Sequence, residues 1–254
     1  MSAAAEIVAL SQRILEGDAR AIARAATLME NQPAAVEALR NALCTHTRHA
    51  MTIGITGPPG VGKSTLVDRL TETLRAEGKT VGIVAVDPSS PFSRGAILGD
   101  RVRMQRHHND PGVFIRSMAS RGKSGGLAAG ARDVAFLLSV AGRDVVLIET
   151  VGVGQDEVEI ARVADITVLV LAPGLGDDVQ AMKAGIMEIA DVFAINKSDM
   201  PGAERLEQEI QMMQSLGGEP ERSNAAPVRR VMATEGTGIT DLLEAIRDVI
   251  QNRK

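Results

Sequence analysis

The chain has 254 residues, of which 44% are hydrophobic and 24% charged, and its formal net charge is −4. This composition is typical of an α/β protein without a membrane-spanning run, and it argues against nucleic acid as the main partner. The only cysteine, Cys44, excludes an intramolecular disulfide framework and a cysteine metal cluster, and its apolar helical surroundings predict burial. The N-terminus has neither a basic start nor a hydrophobic signal core, so a cytoplasmic location is expected.

The first 46 residues predict three helices, because apolar side chains recur there at helical spacing. Gly17 ends the first helix, Asp18 can cap the second, and Pro33 opens the third. We therefore predict an N-terminal helical extension over residues 1–48, followed by one larger domain over residues 49–254.

From Met51 onward, short apolar runs alternate with helical stretches. Continuous apolar strands that alternate with helices are typical of a parallel sheet covered by helices on both faces. The sequence thus predicts an α/β fold. The candidate strands lie at residues 51–56, 80–86, 113–116, 144–148, 166–172, 191–195 and 228–232.

The octapeptide GPPGVGKS lies between the first apolar run and an amphipathic helix. It fits the pattern G-x-x-x-x-G-K-[ST], in which a glycine-rich loop and a helix N-terminus direct backbone N–H groups at a phosphate. Lys63 would reach the β- and γ-phosphates, and the Ser64 hydroxyl would bind Mg²⁺. A chance glycine turn is the alternative, but every motif position and both flanks match. We therefore predict a nucleoside triphosphate site formed by Gly57, Pro58, Pro59, Gly60, Val61, Gly62, Lys63 and Ser64.

Three acidic residues are candidates for a metal site. Glu149 ends an apolar run. Its carboxylate would lie beside the phosphate-binding loop of residues 57–64 (the P-loop) and act on Mg²⁺ directly or through a water. Asp87 and Asp100 are either partners of the metal ion or ordinary turn and capping residues. Arg103 could contact phosphate or pair with an acid, and the residues leave both roles open.

The segment after Glu149 predicts a switch that responds to hydrolysis. Gly152 would offer its N–H to the γ-phosphate, which makes residues 150–157 the responsive segment. Ras-like enzymes place a water-orienting glutamine at this point, but here Val153 follows the glycine and Gln155 comes two residues later. We therefore expect slow turnover that a partner accelerates.

The tetrapeptide NKSD follows another predicted strand. There Asp199 can accept hydrogen bonds from N1–H and N2–H of guanine, a donor pair that adenine lacks. Asn196 would brace the loop and contact the ring, and the stem of Lys197 would lie over the base. An N-capping turn is the alternative for the tetrapeptide alone, but its position in a P-loop chain favours guanine. A further base contact is expected from Ala233 and Thr234.

Several segments occur in a characteristic order, namely VDPSSP, LGDRVRM, ETVGVGQDEVEIA, APGLGDDVQAMKAGI and NKSD. In this order the chain resembles the MeaB/MMAA-type G-proteins, the methylmalonyl-CoA mutase-associated GTPases, over about residues 5–250. The resemblance implies a P-loop GTPase fold of the SIMIBI class and hydrolysis of GTP to GDP and phosphate. It also implies a chaperone that gates cofactor loading and protects or reactivates an adenosylcobalamin-dependent acyl-CoA mutase, either methylmalonyl-CoA or isobutyryl-CoA mutase.

The resemblance further implies roles for individual residues. Phosphate and nucleotide contacts would come from Lys63, Ser64, Thr65 and Arg103. The metal site would be formed by Ser64, Val86, Asp87, Asp100, Glu149 and Thr150. Residues 174–183 would form a mobile switch that signals to the mutase. Catalysis would rest on Lys63, Asp87, Glu149 and Lys183.

The sequence leaves two alternative protein classes to consider, and it does not determine the oligomeric state. A nickel-insertion metallochaperone should carry a His-rich tail or paired Cys and His ligands; the histidines here have no cysteine beside them and are expected on a surface: His46, His49, His107 and His108. An ArgK-like transport-system kinase is the other class, and no residue specifically supports a protein-substrate site. Many relatives dimerise through a C-terminal arm; this chain stops at Lys254, so a homodimer is expected without that arm.

Overall fold

The computed structural model describes residues 3–46, 49–87, 104–119, 126–150, 156–174, 187–216 and 225–253. A seven-stranded sheet runs through this part of the chain in the order β3-β2-β4-β1-β5-β6-β7. Each strand coincides with one of the apolar runs predicted from the sequence. The strands are β1 Met51–Thr56, β2 Val81–Asp87, β3 Val113–Ala119, β4 Val145–Glu149, β5 Ile166–Leu171, β6 Val192–Ile195 and β7 Val228–Arg230.

The sheet is parallel and its central strands are buried. Strand β1 pairs with β5, β2 with β3, β5 with β6, and β6 with β7, all in parallel register. Every residue of β4, β5 and β6 is buried, so both faces of these strands are covered. This burial explains why their sequences are continuous apolar runs rather than alternating ones. The predicted α/β fold is confirmed.

Helices precede the sheet and connect its strands. On α4, the amphipathic helix predicted after the octapeptide, four apolar residues at helical spacing are all fully buried: Leu66, Val67, Leu70 and Leu74. Among the helices described, none is both long enough and apolar enough to cross a membrane. The helices are α1 Ala3–Leu15, α2 Ala19–Asn31, α3 Pro33–Leu43, α4 Lys63–Ala76, α5 Gly126–Val140, α6 Asp156–Ile160, α7 Ala203–Leu216 and α8 Ile239–Asn252, with a 3-10 helix at Gln105–His107.

Asp18 caps α2, as its sequence position predicts. Its Oδ1 accepts hydrogen bonds from the backbone N–H groups of Arg20 at 2.8 Å and Ala21 at 3.2 Å. The Arg13 guanidinium donates to Oδ2, and this bond, followed by the one from Ala21, holds the pKa of Asp18 below its ordinary value. Gly17, with φ of +78°, lies between α1 and this cap. The cap therefore fixes where α2 begins.

Two side chains lie where the sequence did not predict them. Cys44 is exposed rather than buried, because it follows the last turn of α3 while Leu39 and Leu43 occupy the buried face. His107 is buried rather than on the surface, and it ends the short 3-10 helix. Hydrophobic periodicity cannot show either position, because one lies at a helix end and the other in a single turn.

The contacts divide the chain into two compact units. Within the first, α2 packs against α5, and an ion pair of 2.6 Å joins Arg116 on β3 to Glu30 on α2. Within the second, Phe193 on β6 belongs to a buried apolar cluster that includes residues of α7. The domain boundary predicted after residue 48 stays a prediction. Unit 1 is Met1–Thr52 with Leu74–Ile148, and unit 2 is Ile53–Thr73 with Glu149–Lys254.

Candidate functional site

The glycine-rich loop runs from the end of β1 to the start of α4 and approaches two other segments closely. Gly57 has φ of +137°, and a Cβ there would collide with the Val170 carbonyl oxygen on β5. Gly62 has φ of +95°, and a Cβ there would collide with the Asn196 side-chain amide. Both positions therefore require glycine for conformational and for steric reasons. The loop is held against β5 and against the segment that follows β6.

Lys63 places a buried positive charge inside the curve of this loop. It is the first residue of α4, and its side chain is buried. Its Nζ donates hydrogen bonds to the carbonyl oxygens of Gly57 at 2.7 Å and Pro58 at 2.9 Å. A cation held next to a helix N-terminus attracts anions, because the helix dipole and the charge have the same sign there. This arrangement suits a phosphate group.

Ser64 and Glu149 form a buried pair of oxygen groups beside Lys63. The Ser64 Oγ donates to Glu149 Oε1 at 2.6 Å, and both residues are buried. Thr150 follows Glu149 directly; its hydroxyl lies 3.0 Å from that of Thr56, and its N–H donates to the Ile55 carbonyl. Hydroxyl and carboxylate oxygens are the hard ligands that Mg²⁺ prefers in proteins. The donor set therefore fits a magnesium ion.

Asn196 joins the P-loop to the loop that follows β7. Its Nδ2 donates to the Val61 carbonyl at 2.8 Å, and its Oδ1 accepts from the Ala233 N–H at 3.0 Å. The side chain is buried, and its two amide atoms have complementary partners, a carbonyl and an N–H. This amide therefore fixes the distance between two loops that are far apart in the chain.

Lys197 and Asp199 follow the buried Asn196 in the chain and are more exposed than it is. The Lys197 Nζ donates to the Gly60 carbonyl at 2.8 Å. Lys197 has φ of +57°, and within the described part of the chain it is the only non-glycine residue with positive φ. Asp199 and Thr234 are exposed, whereas Ala233 is buried. The residues predicted to contact a base thus lie on loops joined to the P-loop by hydrogen bonds.

Arg69 on α4 is a site neighbour that no sequence motif contains. Its Nε donates to the Ala233 carbonyl at 2.9 Å, and its Nη2 donates to the Thr234 carbonyl at 2.5 Å. The acceptors lie 164 and 165 positions later in the chain, so no local pattern could have indicated the contacts.

Some of the remaining predicted site residues lie within the described part of the chain, and others lie outside it. Pro59 is exposed and Thr65, in the first turn of α4, is half-buried. Val86 is buried in β2, and Asp87 ends that strand with only its backbone described. The other predicted residues and segments lie outside the described residues, wholly or in large part: Asp100, Arg103, Gly152, Val153, Gln155, Lys183, residues 151–155 of the first switch and residues 175–183 of the second.

A parallel α/β sheet with a glycine-rich phosphate loop, a buried Ser–Glu pair and an NKSD segment joined to that loop defines a P-loop GTPase. The chain belongs to the MeaB family, because the model of the methylmalonyl-CoA mutase-associated GTPase MeaB matches residues 22–254. It is therefore a GTPase that binds GTP and hydrolyses it to GDP and phosphate, and the predicted family is confirmed.

Individual relatives agree with this assignment. A Pyrococcus horikoshii protein named as a GTPase is 48% identical over 247 residues, which cover 94% of this chain and 76% of the relative. GTPase ArgK of Escherichia coli is 41% identical over 192 residues, covering 74% of this chain and 58% of the relative. The crystal structure of LAO/AO transport system kinase superposes with a TM-score of 0.72 at 28% identity, covering 98% of this chain and 76% of that one. The SIMIBI-class fold predicted from the sequence is confirmed.

Proposed function

We propose that this GTPase is a chaperone for an adenosylcobalamin-dependent acyl-CoA mutase, with methylmalonyl-CoA mutase as the first candidate and isobutyryl-CoA mutase as the second. The observation that carries the proposal is the family match over residues 22–254, since the family is described by its association with methylmalonyl-CoA mutase. GTP binding and hydrolysis would gate cofactor loading and protect or reactivate the mutase. A homodimer and a cytoplasmic location belong to the same proposal.

The phosphate contacts follow from the geometry of the P-loop. The Lys63 ammonium would bind the β- and γ-phosphates, together with backbone N–H groups of residues 57–65. Ser64 and Glu149 would hold Mg²⁺, with Thr150 beside them and with Val86, Asp87 and Asp100 as further candidates. A magnesium ion held by these residues would supply positive charge against the negative charge of the phosphates during transfer. The short, buried Ser64–Glu149 contact supports this assignment.

The base contacts follow from the loops after β6 and β7. Asp199 would accept hydrogen bonds from N1–H and N2–H of guanine, and Lys197 would cover one face of the ring. Asn196 would hold the base loops in place, because it already bonds to Val61 and Ala233. The loop that carries Ala233 and Thr234 would supply a further base contact.

Completion of catalysis would come from the switches and the partner. Gly152 would contact the γ-phosphate, and Val153 cannot orient the attacking water in place of a glutamine. Mutase binding would then order the switches and bring Lys183 or a mutase residue to the γ-phosphate. Arg103 is a further candidate for a nucleotide contact.

Single-turnover GTP hydrolysis with and without purified methylmalonyl-CoA mutase tests the proposal. The rate should rise by at least about tenfold with the mutase, since a cationic or water-positioning group delivered by a partner is worth orders of magnitude in other GTPases. Complex formation is measured independently by sedimentation. Equal rates in a confirmed complex would contradict partner-completed catalysis, and isobutyryl-CoA mutase is tested in the same way.

Replacing Lys183 with alanine tests the lysine within the same assay. GTP affinity should change little, whereas most of the stimulation by the mutase should be lost, because the switch lysine would act only in the assembled complex. Lys79→Ala is the matched control, since Lys79 is an exposed lysine in the turn after α4. Full stimulation of the Lys183 variant would assign the completing group to the mutase instead.

A further inference from the structure

The guanidinium of Arg69 uses three of its nitrogens, two of them on a loop from a distant part of the chain. Nε and Nη2 donate to the Ala233 and Thr234 carbonyls at 2.9 and 2.5 Å. The third, Nη1, donates to Glu72 on the same helix at 2.8 Å. The Arg69 side chain is 22% exposed, so these bonds are partly shielded from water. A rigid planar group with several donors suits the simultaneous binding of adjacent carbonyls.

These contacts close a ring of hydrogen bonds around the site. The P-loop carbonyl of Val61 binds Asn196, Asn196 binds the Ala233 N–H, and the Ala233 carbonyl binds Arg69. Arg69 lies on α4, the helix that begins directly after the P-loop, so the ring returns to its start. Ala233 is therefore held through both its N–H and its carbonyl. The two peptide groups that flank its Cα are therefore both fixed by side-chain bonds, which limits their freedom to rotate.

The orientation of this loop matters because of the Thr234 N–H. Within the described residues it donates no hydrogen bond, whereas the N–H groups of Ala233, Glu235 and Gly236 are all used. Guanine offers an acceptor, its 6-oxo group, next to the N1–H donor assigned to Asp199. A backbone N–H can bind that acceptor only if its peptide is correctly turned. The Arg69 bonds to the two neighbouring carbonyls determine that turn.

We infer that Arg69 is a positioning residue for guanine recognition: it orients the loop at Ala233 and Thr234 so that a backbone N–H meets the 6-oxo group. The inference rests on the proposed assignment of this loop to the base. Arg69 itself touches the loop rather than the nucleotide. Its removal should therefore change which base is preferred more than it changes turnover.

Affinities for three diphosphates in the full chain test this role. GDP is the reference, inosine diphosphate lacks the N2–H donor read by Asp199, and 6-thioguanosine diphosphate carries a weak sulfur acceptor at the 6-position. The parent should prefer GDP over the 6-thio analogue by about tenfold, the worth of one well-made hydrogen bond. In Arg69→Ala this preference should fall toward one, while the preference for GDP over the inosine analogue stays at the parental value. In hydrolysis assays KM for GTP should rise more than kcat falls.

Two further variants keep the test sharp. Arg69→Lys retains a single donor nitrogen and should show an intermediate preference, which also covers the case that the alanine variant folds poorly. Glu72→Gln removes the helical ion pair but leaves both bonds to the loop, so it should keep the parental preference. A parental preference in both Arg69 variants, or equal weakening of all three diphosphates, would overturn the inference. Asp199→Asn, measured alongside, tests the base assignment separately through the inosine comparison.

Discussion

The phosphate end and the base end of this nucleotide site are built in different ways. At the phosphate end, Lys63, Ser64 and Glu149 are all buried, and two of the three are neighbours in the chain. At the base end, Asp199 and Thr234 are exposed, and the loops that carry them are joined by side-chain bonds across long stretches of chain. The first region concentrates charge away from water, and the second arranges hydrogen-bonding groups at a surface.

This difference separates the two tasks of the enzyme. Charged groups in a buried site interact strongly with charge that develops during a reaction, because little water screens them. Exposed hydrogen-bonding groups compete with water and therefore contribute mainly to the choice between similar bases. Substitutions at the phosphate end should change turnover, and substitutions at the base end should change which nucleotide is bound.

The largest effect is expected from Glu149→Ala. Hydrolysis should fall by about 10²–10³-fold, the size of effect seen when one preorganised group that stabilises a transition state is removed. GDP affinity should fall by less than about tenfold, because the P-loop backbone and Lys63 still hold the diphosphate. Single-turnover hydrolysis and GDP titration measure the two quantities, and Glu209→Ala, an exposed helix glutamate, is the matched control. Parental hydrolysis by the Glu149 variant would remove this carboxylate from catalysis.

A smaller effect, confined to affinity, is expected from Asp199→Asn. GTP and GDP binding should weaken by about 2–4 kcal/mol, because a charge-assisted pair of hydrogen bonds is lost. Xanthine nucleotides should bind more tightly than to the parent, since their ring offers an acceptor where guanine offers a donor. Titration with guanine, xanthine and adenine nucleotides measures this, with Asp248→Asn on α8 as the control. Equal affinity of the parent for ATP and GTP would contradict the assignment to Asp199.

The phosphate end could be predicted from the sequence more completely than the base end, for a physical reason. The P-loop is contiguous, and its neighbours β1 and α4 carry the apolar patterns of a buried strand and an amphipathic helix, so motif and context could be seen together. The parallel sheet could be predicted for the same reason, because strands buried on both faces are continuous apolar runs.

What the sequence did not indicate depends on contacts between distant segments. Asn196 meets Val61 across 135 positions, and Arg69 meets Ala233 across 164 positions; no local pattern encodes such distances. The predictions that Cys44 is buried and that His107 is exposed were wrong for a related reason. Each residue lies at the end of a helical element, where hydrophobic periodicity stops. Tertiary packing, rather than local preference, determines these positions.

The smallest expected effect concerns Lys197, which connects the two ends through its bond to the Gly60 carbonyl. Its φ of +57° disfavours every residue with a Cβ, so Lys197→Gly and Lys197→Ala differ in backbone strain while both remove the side chain. Relative to alanine, glycine removes about 1–2 kcal/mol of backbone strain from the folded state. It also lowers stability by about 0.4–1 kcal/mol, because the unfolded chain gains conformational entropy. The free energy of unfolding, measured with urea, should therefore be about 0.5–1 kcal/mol larger for Lys197→Gly than for Lys197→Ala.

Nucleotide affinity provides the second half of this test. Both Lys197 variants lose the same ammonium and the same aliphatic stem, so they should weaken GDP binding by the same factor even though their stabilities differ. Equal losses of GDP affinity would show that Lys197 contributes to binding through its side chain. This is the result expected for a residue at the base end of the site. If the more stable glycine variant bound GDP clearly better than the alanine variant, backbone order in this loop would contribute to affinity. Base recognition would then depend on rigidity as well as on hydrogen bonds.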